Sequence, residues 1–386
     1  MLFTIRGLGL AIPVNSLSQE HAADHAVEMW GDTIDRAGAV RTLFRQAGVQ
    51  RRHSVLLESP HIEKRINQSF YRAAIDRNDH GPSTRDRMER YEREALNLGT
   101  RACESEIQRA GIDRDRISHL ITVSCSGFSA PGVDVGLIEA LNLDRGVART
   151  NVGFMGCHGA FNGLRVAKAF AESDPRSIVL VCCIELCSLH QQYSENAQQI
   201  VANALFSDGA AAVVGSAAES IDHEWQLASQ SSLILEGTQD LMSWRIGDHG
   251  FSMGLSPKVP DVIRVELRPW VEEWLRSVGL NVDQISTWAI HPGGPRILDA
   301  CSKALGLSDS ALDVSRQVLA DNGNMSSPTI LFILDALRQR GAQLPCVSLA
   351  FGPGLTIEAA LWLPSSHGNS TGPADQSIGR DPVKLV

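Results

Sequence analysis

Three short segments place chemically capable side chains beside glycines: Gly156-Cys157, His291-Pro292-Gly293-Gly294 and Gly323-Asn324-Met325. A cysteine, a histidine and an asparagine form a coherent set. An imidazole and a helix end can stabilise a thiolate that attacks an acyl group, and the His and Asn side chains can donate hydrogen bonds to the oxyanion that develops. Residues 151–163, NVGFMGCHGAFNG, hold the cysteine. They begin at the end of an apolar run, pass Gly153, Gly156 and Gly159, and lead into a predicted helix over 161–172. Such a corner lowers a cysteine pKa, because unpaired backbone N–H groups and the positive helix end favour the thiolate. The alternative reading of Cys157 is a buried packing cysteine. His291 closes a buried strand, where a hydrogen-bonded structural histidine is the alternative, but the Pro-Gly-Gly after it frees space around the ring.

The elements around these segments repeat. Gly111-Ile112-Asp113 to Ile117-Ser118 matches Gly279-Leu280-Asn281 to Ile285-Ser286, and each copy ends a helix and enters a buried strand. Each strand is followed by a helix ending Ala-Leu-x-Leu, at 140–143 and 304–307, then by a Gly-containing corner, a helix and a further buried strand. Cys157 lies in the first corner and Asn324 in the second. A duplicated strand–helix–strand unit predicts two similar α/β halves whose corners meet at the centre. The expected division is residues 1–216, residues 217–364 and a disordered tail, 365–386, rich in Ser, Gly, Pro and Asp. Further expectations are a long helix over 84–110, a fully apolar strand over 177–185, a turn at Asp208-Gly209 before a short buried strand, and a hairpin over 241–256 turning at Gly247-Asp248-His249-Gly250.

At 386 residues, 43% hydrophobic and 20% charged, the chain can bury a large core. Its net charge of −9 argues against a general nucleic-acid or membrane-surface role. Eight dispersed cysteines do not make a disulfide scaffold. No stretch reaches the roughly 18–20 apolar residues of a membrane span, and the first residues lack a secretory pattern. A reducing, cytoplasmic setting is expected.

The segments GFMGCHGAFNGLRVA, WAIHPGGPRILDA, DNGNMSSPTILFILD and AFGPGLTIEAALW together resemble the type III polyketide synthases, the chalcone synthase-like enzymes, over residues 1–364. Within that family, VSCSGFSAPGVD and MSWRIGDHGFSMGLS are more similar to microbial alkylresorcinol and alkylpyrone synthases than to plant chalcone synthases. The resemblance implies a thiolase-like fold of five layers, αβαβα, and a homodimer. It implies that Cys157 is acylated by a starter acyl-CoA, while His291 and Asn324 hold the malonyl-CoA thioester carbonyl and stabilise the enolate left by decarboxylation. Acyl-CoA and malonyl-CoA are then substrates, with no metal or other cofactor required. Phe206 matches the family's gatekeeper phenylalanine, and Met253 stands where a second often sits. For both, ordinary core packing is the alternative. Cys125, Ser126, Cys187, His190 and Trp244 align with cavity-lining positions, and Trp244 replaces a small residue. Ala130 replaces a methionine that reaches the partner's cavity in plant members. Ser326 and Gly352-Pro353-Gly354 border the site by the same resemblance. Arg41 and Arg45 fall near the family's cationic CoA-binding region, although a solvated helix face is the other reading.

Two other functions compete. An initiating β-ketoacyl carrier-protein synthase would share the fold and the Cys–His–Asn set. A zinc or scaffold protein could use Cys183, Cys187 and His190, whose spacing resembles half a zinc site but lacks a second pair.

Overall fold

The structure, a computed structural model, describes residues 2–30, 37–58, 67–217 and 224–365. In chain order the first half runs β1 (Phe3–Ala11), β2 (Ser16–Ser18), α1 (Gln19–Trp30), α2 (Ala37–Gln46), β3 (Arg51–His53), α3 (Thr84–Ala110), β4 (Ile117–Ser124), α4 (Val133–Leu141), β5 (Ala148–Gly153), α5 (Gly159–Ser173), β6 (Ile178–Leu186), α6 (Ala197–Leu205) and β7 (Asp208–Ser216). The second runs β8 (Trp225–Ile234), β9 (Met242–Gly247), β10 (Gly250–Leu255), α7 (Val259–Ser277), β11 (Thr287–Ile290), α8 (Pro295–Leu305), α9 (Asp313–Asn322), α10 (Thr329–Gln339), β12 (Cys346–Gly352) and β13 (Thr356–Pro364).

The repeat is visible in the strand pairing. In the first half β4 runs parallel to β6, β6 antiparallel to β7, and β7 antiparallel to β1. In the second β11 runs parallel to β12, β12 antiparallel to β13, and β13 antiparallel to β8. The two sheets join where Phe3–Ile5 of β1 pair with Trp225–Leu227 of β8, which gives one nine-stranded ladder. β5 lies at one edge, parallel to β4.

Side-chain alternation builds the layers. Along β6, Val179, Val181 and Cys183 face the central core, while Leu180, Cys182 and Ile184 face the outer one. A strand covered on both sides reads as a continuous apolar run because successive residues point to opposite faces. Burying each such side chain contributes about 1.5–3 kcal/mol. The central core is filled by Phe161 and Leu164 of α5 and by Leu331 and Leu334 of α10. α3 covers the first sheet from outside, and α7 and α8 cover the second. The result is the expected five-layer αβαβα arrangement, with α5 and α10 buried in the middle.

Helix α3 spans the expected residues. Ser83 and Asp86 form a reciprocal cap at its start, and Gly111, at φ 60°, ends it. Asp208-Gly209 is not a turn: both residues open the nine-residue strand β7. The carboxylate of Asp208 is buried and accepts the Ser188 and Val55 N–H groups. Residues 204–205 instead complete helix α6, which short-range apolar pattern alone does not reveal. β5 is an exposed edge strand and not part of an apolar run. Of the expected disordered tail only Ser365 is described, held by two hydrogen bonds to Glu224, and the rest lies outside the described residues.

Candidate active site

The corner between β5 and α5 contains two left-handed residues, Phe154 at φ 58° and Gly156 at φ 68°. A Cβ on Gly156 would stand 2.7 Å from Pro353 Cδ, so this glycine serves both a positive φ and a close approach. Cys157 follows in a 3-10 turn, Gly156–His158, that runs into α5. The corner between α9 and α10 mirrors it, with Gly323 at φ 71° and Ser326 at φ 56°. Asn324 Oδ1 accepts the Ser326 N–H at 2.8 Å, which turns the Asn324 amide nitrogen toward Cys157 Sγ, 4.0 Å away. His291 closes β11, its N–H donating to Leu349 O at 2.8 Å. It is 1% exposed, and neither ring nitrogen has a hydrogen-bond partner among the described residues. Cys157, His291 and Asn324 line one cavity of about 20 Å³.

Two further spaces adjoin it. One, of about 20 Å³, is lined by Cys125, Cys157, Cys187, Trp244, Ser326 and Pro353 among others, and one of about 10 Å³ lies beside Cys187 and His190. Phe206 and Met253 line all three. These two side chains therefore partition the space. Each chamber holds about one water, so substrate must displace side chains to enter. Trp244 crosses the interior with its indole N–H donating to Cys125 O at 2.7 Å. Ser126, Gly352 and Gly354 stand behind the wall. Ser126 Oγ donates to Glu185, and Gly352 leaves room for the His158 ring.

The two buried histidines differ in kind. His190 Nε2 pairs with Ser126 O at 2.6 Å, and its Nδ1 accepts the Phe251 N–H, so both nitrogens are spent on structure. His291 keeps both available. His158, beside the cysteine in sequence, is bound to Asn162 at 2.9 Å. Among the described residues no group of three His, Cys, Asp or Glu is arranged to hold a metal ion.

The expected lowering of the Cys157 pKa is not met. Burial pushes the thiol up to about 11, against the hydrogen bonds of Ser326 and Asn324, and the Glu185 charge adds to the rise. Burial also pushes His291 down to about 3, with His158 acting in the same direction. Desolvation outweighs the helix end because each lone charge would be stranded in an apolar chamber. Moving the thiol proton to the imidazole instead creates two opposite charges in one cavity, whose mutual attraction offsets part of that cost.

Glu185 escaped sequence reasoning. It is fully buried and accepts the Cys125 and Ser126 N–H groups and the Ser126 and Ser327 hydroxyls, below the wall formed by Cys125 and Ser326. Its signal was present as one acid in the otherwise apolar run SIVLVCCIE.

A groove of about 550 Å³ opens beside the chamber of Cys157, His291 and Asn324 and shares Leu205, Leu255, Gly293 and Ile297 with it. Leu43 and Gln46 of α2 and Ala47 just after it line it, and Arg296 is its one charged lining residue among those described. Arg41 and Arg45 lie on other faces of α2: Arg41 pairs with Asp24 and Arg45 donates to Thr42 Oγ1.

A buried thiol, a free imidazole and a carboxamide gathered from both halves of a duplicated five-layer fold mark a thiolase-like condensing enzyme. The chalcone and stilbene synthase N-terminal domain matches residues 2–218, and the C-terminal domain of the same family matches residues 226–364. The chain belongs to the chalcone and stilbene synthase family and is a type III polyketide synthase. That assignment decides against the carrier-protein synthase and the zinc protein. An alpha-pyrone synthesis polyketide synthase-like protein of Mycobacterium tuberculosis is 31% identical over 368 residues, covering 93% of this chain and 90% of that one. The 3,5-dihydroxyphenylacetyl-CoA synthase of Streptomyces toyocaensis is 30% identical, covering 92% of this chain and 89% of its own. The crystal structure of PKS-I from the brown alga Ectocarpus siliculosus superposes with a TM-score of 0.87 at 26% identity, covering 94% of this chain and 98% of that one.

Proposed function

We propose that Cys157 carries the growing chain while His291 and Asn324 handle malonyl-CoA. The supporting observation is the shared chamber in which His291 has both ring nitrogens free of partners among the described residues. The Cys157 thiol gives its proton to His291 and attacks the starter thioester, and the proton leaves with the CoA thiolate. Neutral His291 then donates one N–H, and Asn324 one amide N–H, to the malonyl thioester carbonyl. The electrons of the breaking carboxylate bond pass into an enolate held by these two donors. Its carbon attacks the acyl–Cys157 carbonyl, and the Cys157 thiolate departs. Loss of carbon dioxide supplies the carbanion, so the cycle calls on no metal or redox cofactor.

Phe206 and Met253 form the gate, and Arg296 is the cation that meets the CoA end of the substrate at the groove. The small chambers and the pinned Trp244 indole favour few extensions, with closure to a pyrone over a larger ring system. Products from aliphatic and aromatic acyl-CoA starters, read by mass spectrometry, test this. A dominant long-chain product would count against it.

The working unit is a homodimer in a cytoplasmic setting. β5 offers an exposed edge, and Phe128 and Phe154, 53% and 40% exposed, lie near it, as expected of a face awaiting a second copy. All eight cysteines are unpaired, and no described helix is long and apolar enough to cross a membrane. Iodoacetamide followed by peptide mapping tests the nucleophile. Cys157 should be labelled first, whereas labelling centred on Cys103 or Cys301 refutes the assignment.

A further inference from the structure

Arg52 is 3% exposed and lies at the end of helix α6. Its guanidinium donates to the carbonyls of Asn203 at 2.6 Å, Ala204, and Phe206 at 3.2 Å, and to Gln19 Oε1. Gln19 in turn donates to Ala204 O and Phe44 O, both at 2.9 Å. A helix leaves its last carbonyls unpaired and carries partial negative charge there, so a buried cation is stabilised at that point. Burial pushes Arg52 down to about 10, and the Asp208 charge opposes the fall.

The segment that Arg52 grips is the one that holds Asn324. The Asn324 N–H donates to Leu205 O at 2.8 Å, and the Ser207 N–H donates to Asn324 O at 2.9 Å. Phe206 and Asn324 thus form an isolated parallel bridge. A Cβ on Gly323 would stand 3.1 Å from Leu205 O and 2.8 Å from Ser207 Cβ. From the other side the His53 N–H donates to Ser207 Oγ, and that hydroxyl donates to His53 O, each at 3.0 Å. The residue before the strand carrying Arg52 also reaches α9 directly, through Gln50 N–H to Ala320 O at 2.8 Å. Leu205–Ser207 is therefore a strap with the Asn324 backbone on one side and Arg52 and His53 on the other.

We propose that Arg52 is a positioning residue for the condensation: by clamping the strap it sets the carboxamide of Asn324 and the ring of Phe206 relative to Cys157. The inference rests on the enolate-stabilising role of Asn324 given above. No other side chain supplies several donors in one plane, and lysine has a single head that cannot span four acceptors. A small displacement of Asn324 costs malonyl-CoA decarboxylation far more than starter transfer to Cys157, because the enolate has that amide as one of its two donors, whereas the thiol is also hydrogen-bonded by Ser326.

The test uses Arg52→Lys, Arg52→Met and the milder Ser207→Ala in the full-length enzyme. Carbon dioxide release from malonyl-CoA, Cys157 acylation by a starter acyl-CoA and thermal midpoint are measured, and Asn324→Ala is combined with each variant. The expected result is a loss of about 10²-fold in decarboxylation for the Arg52 variants and a smaller loss for Ser207→Ala. Acylation should stay within about threefold, and the Asn324→Ala background should show almost no further loss, because coupled residues are non-additive. Unchanged decarboxylation, acylation falling in step with it, or losses that multiply in the double variants would overturn the proposal. If Asn324→Ala alone decarboxylates at the wild-type rate, the role of Asn324 itself has failed, a pattern distinct from the others. If both Arg52 variants fail to fold, Ser207→Ala decides by the same criteria.

Discussion

The corner at Cys157 and the corner at Asn324 are two versions of one device. Each has a left-handed glycine directly before the functional residue and a second left-handed residue within three positions, Phe154 in one and Ser326 in the other. Each leads into a helix of the central layer. They differ in what holds them. The first follows an exposed edge strand, and its cysteine stands two residues before α5 begins, with Pro353 from the other half packed on Gly156. The second follows a helix, α9, in place of a strand. Its backbone is bonded to Leu205 and Ser207 of the first half, and α10 begins only at Thr329. The duplicated scaffold thus supplies two equivalent places, and contacts across the halves distinguish the one that holds the proposed reacting atom from the one that holds the proposed fixed donor.

The sharpest break of that comparison is Cys157→Ala. Acylation should fall by roughly 10⁴-fold or more, as expected when a nucleophile is removed, measured as radiolabel retained on protein after starter acyl-CoA. A much smaller loss would leave the first corner without its assigned role. The pH profile of Cys157 alkylation comes next. Burial raises the thiol toward about 11, so a lone thiolate is scarce at neutral pH and grows as pH rises. A proton on His291 favours the thiolate and moves the profile downward. His291→Ala should therefore shift the profile to higher pH, toward that lone-thiol value, and an unchanged profile would mean that the imidazole does not take the proton.

The smallest effects concern the glycines. Gly156→Ala and Gly323→Ala add the strain of a left-handed backbone, about 1–2 kcal/mol, to contacts of 2.7 and 2.8 Å. Gly111→Ala, at φ 60° with open space around it, carries the backbone strain alone. Denaturant midpoints should place both corner variants below Gly111→Ala. Equal midpoints would show that the corners tolerate a side chain.

Much of this was legible in the sequence, because it rests on local chemistry. The duplicated Gly-aliphatic-Asx (Asp or Asn) and Ile-Ser offsets reported the repeat, the apolar run over 177–185 reported a strand covered on both faces, and the Gly-Cys and Gly-Asn pairs marked the corners. What was not legible depends on distance in space. The helix end at Cys157 suggested a lowered pKa, but burial by residues far along the chain reverses it. Arg41 and Arg45 are basic and on the right helix, yet the rotation of α2 turns Leu43 and Gln46 to the groove instead. His190 and His291 look alike as single letters, and only the partners of their ring nitrogens separate them. Asp208-Gly209 carries the composition of a turn, but the buried N–H groups of Val55 and Ser188 recruit its carboxylate into a strand end.

The central claim is a division of labour between the two corners, and carbon dioxide release from malonyl-CoA without starter tests it most directly. Cys157→Ala should still release it at a rate near that of the wild type, because the enolate donors remain. Asn324→Ala should lose about 10²–10³-fold while its Cys157 still accepts a starter. If Cys157→Ala loses decarboxylation as deeply as Asn324→Ala, the two corners do not divide the chemistry and the account is wrong.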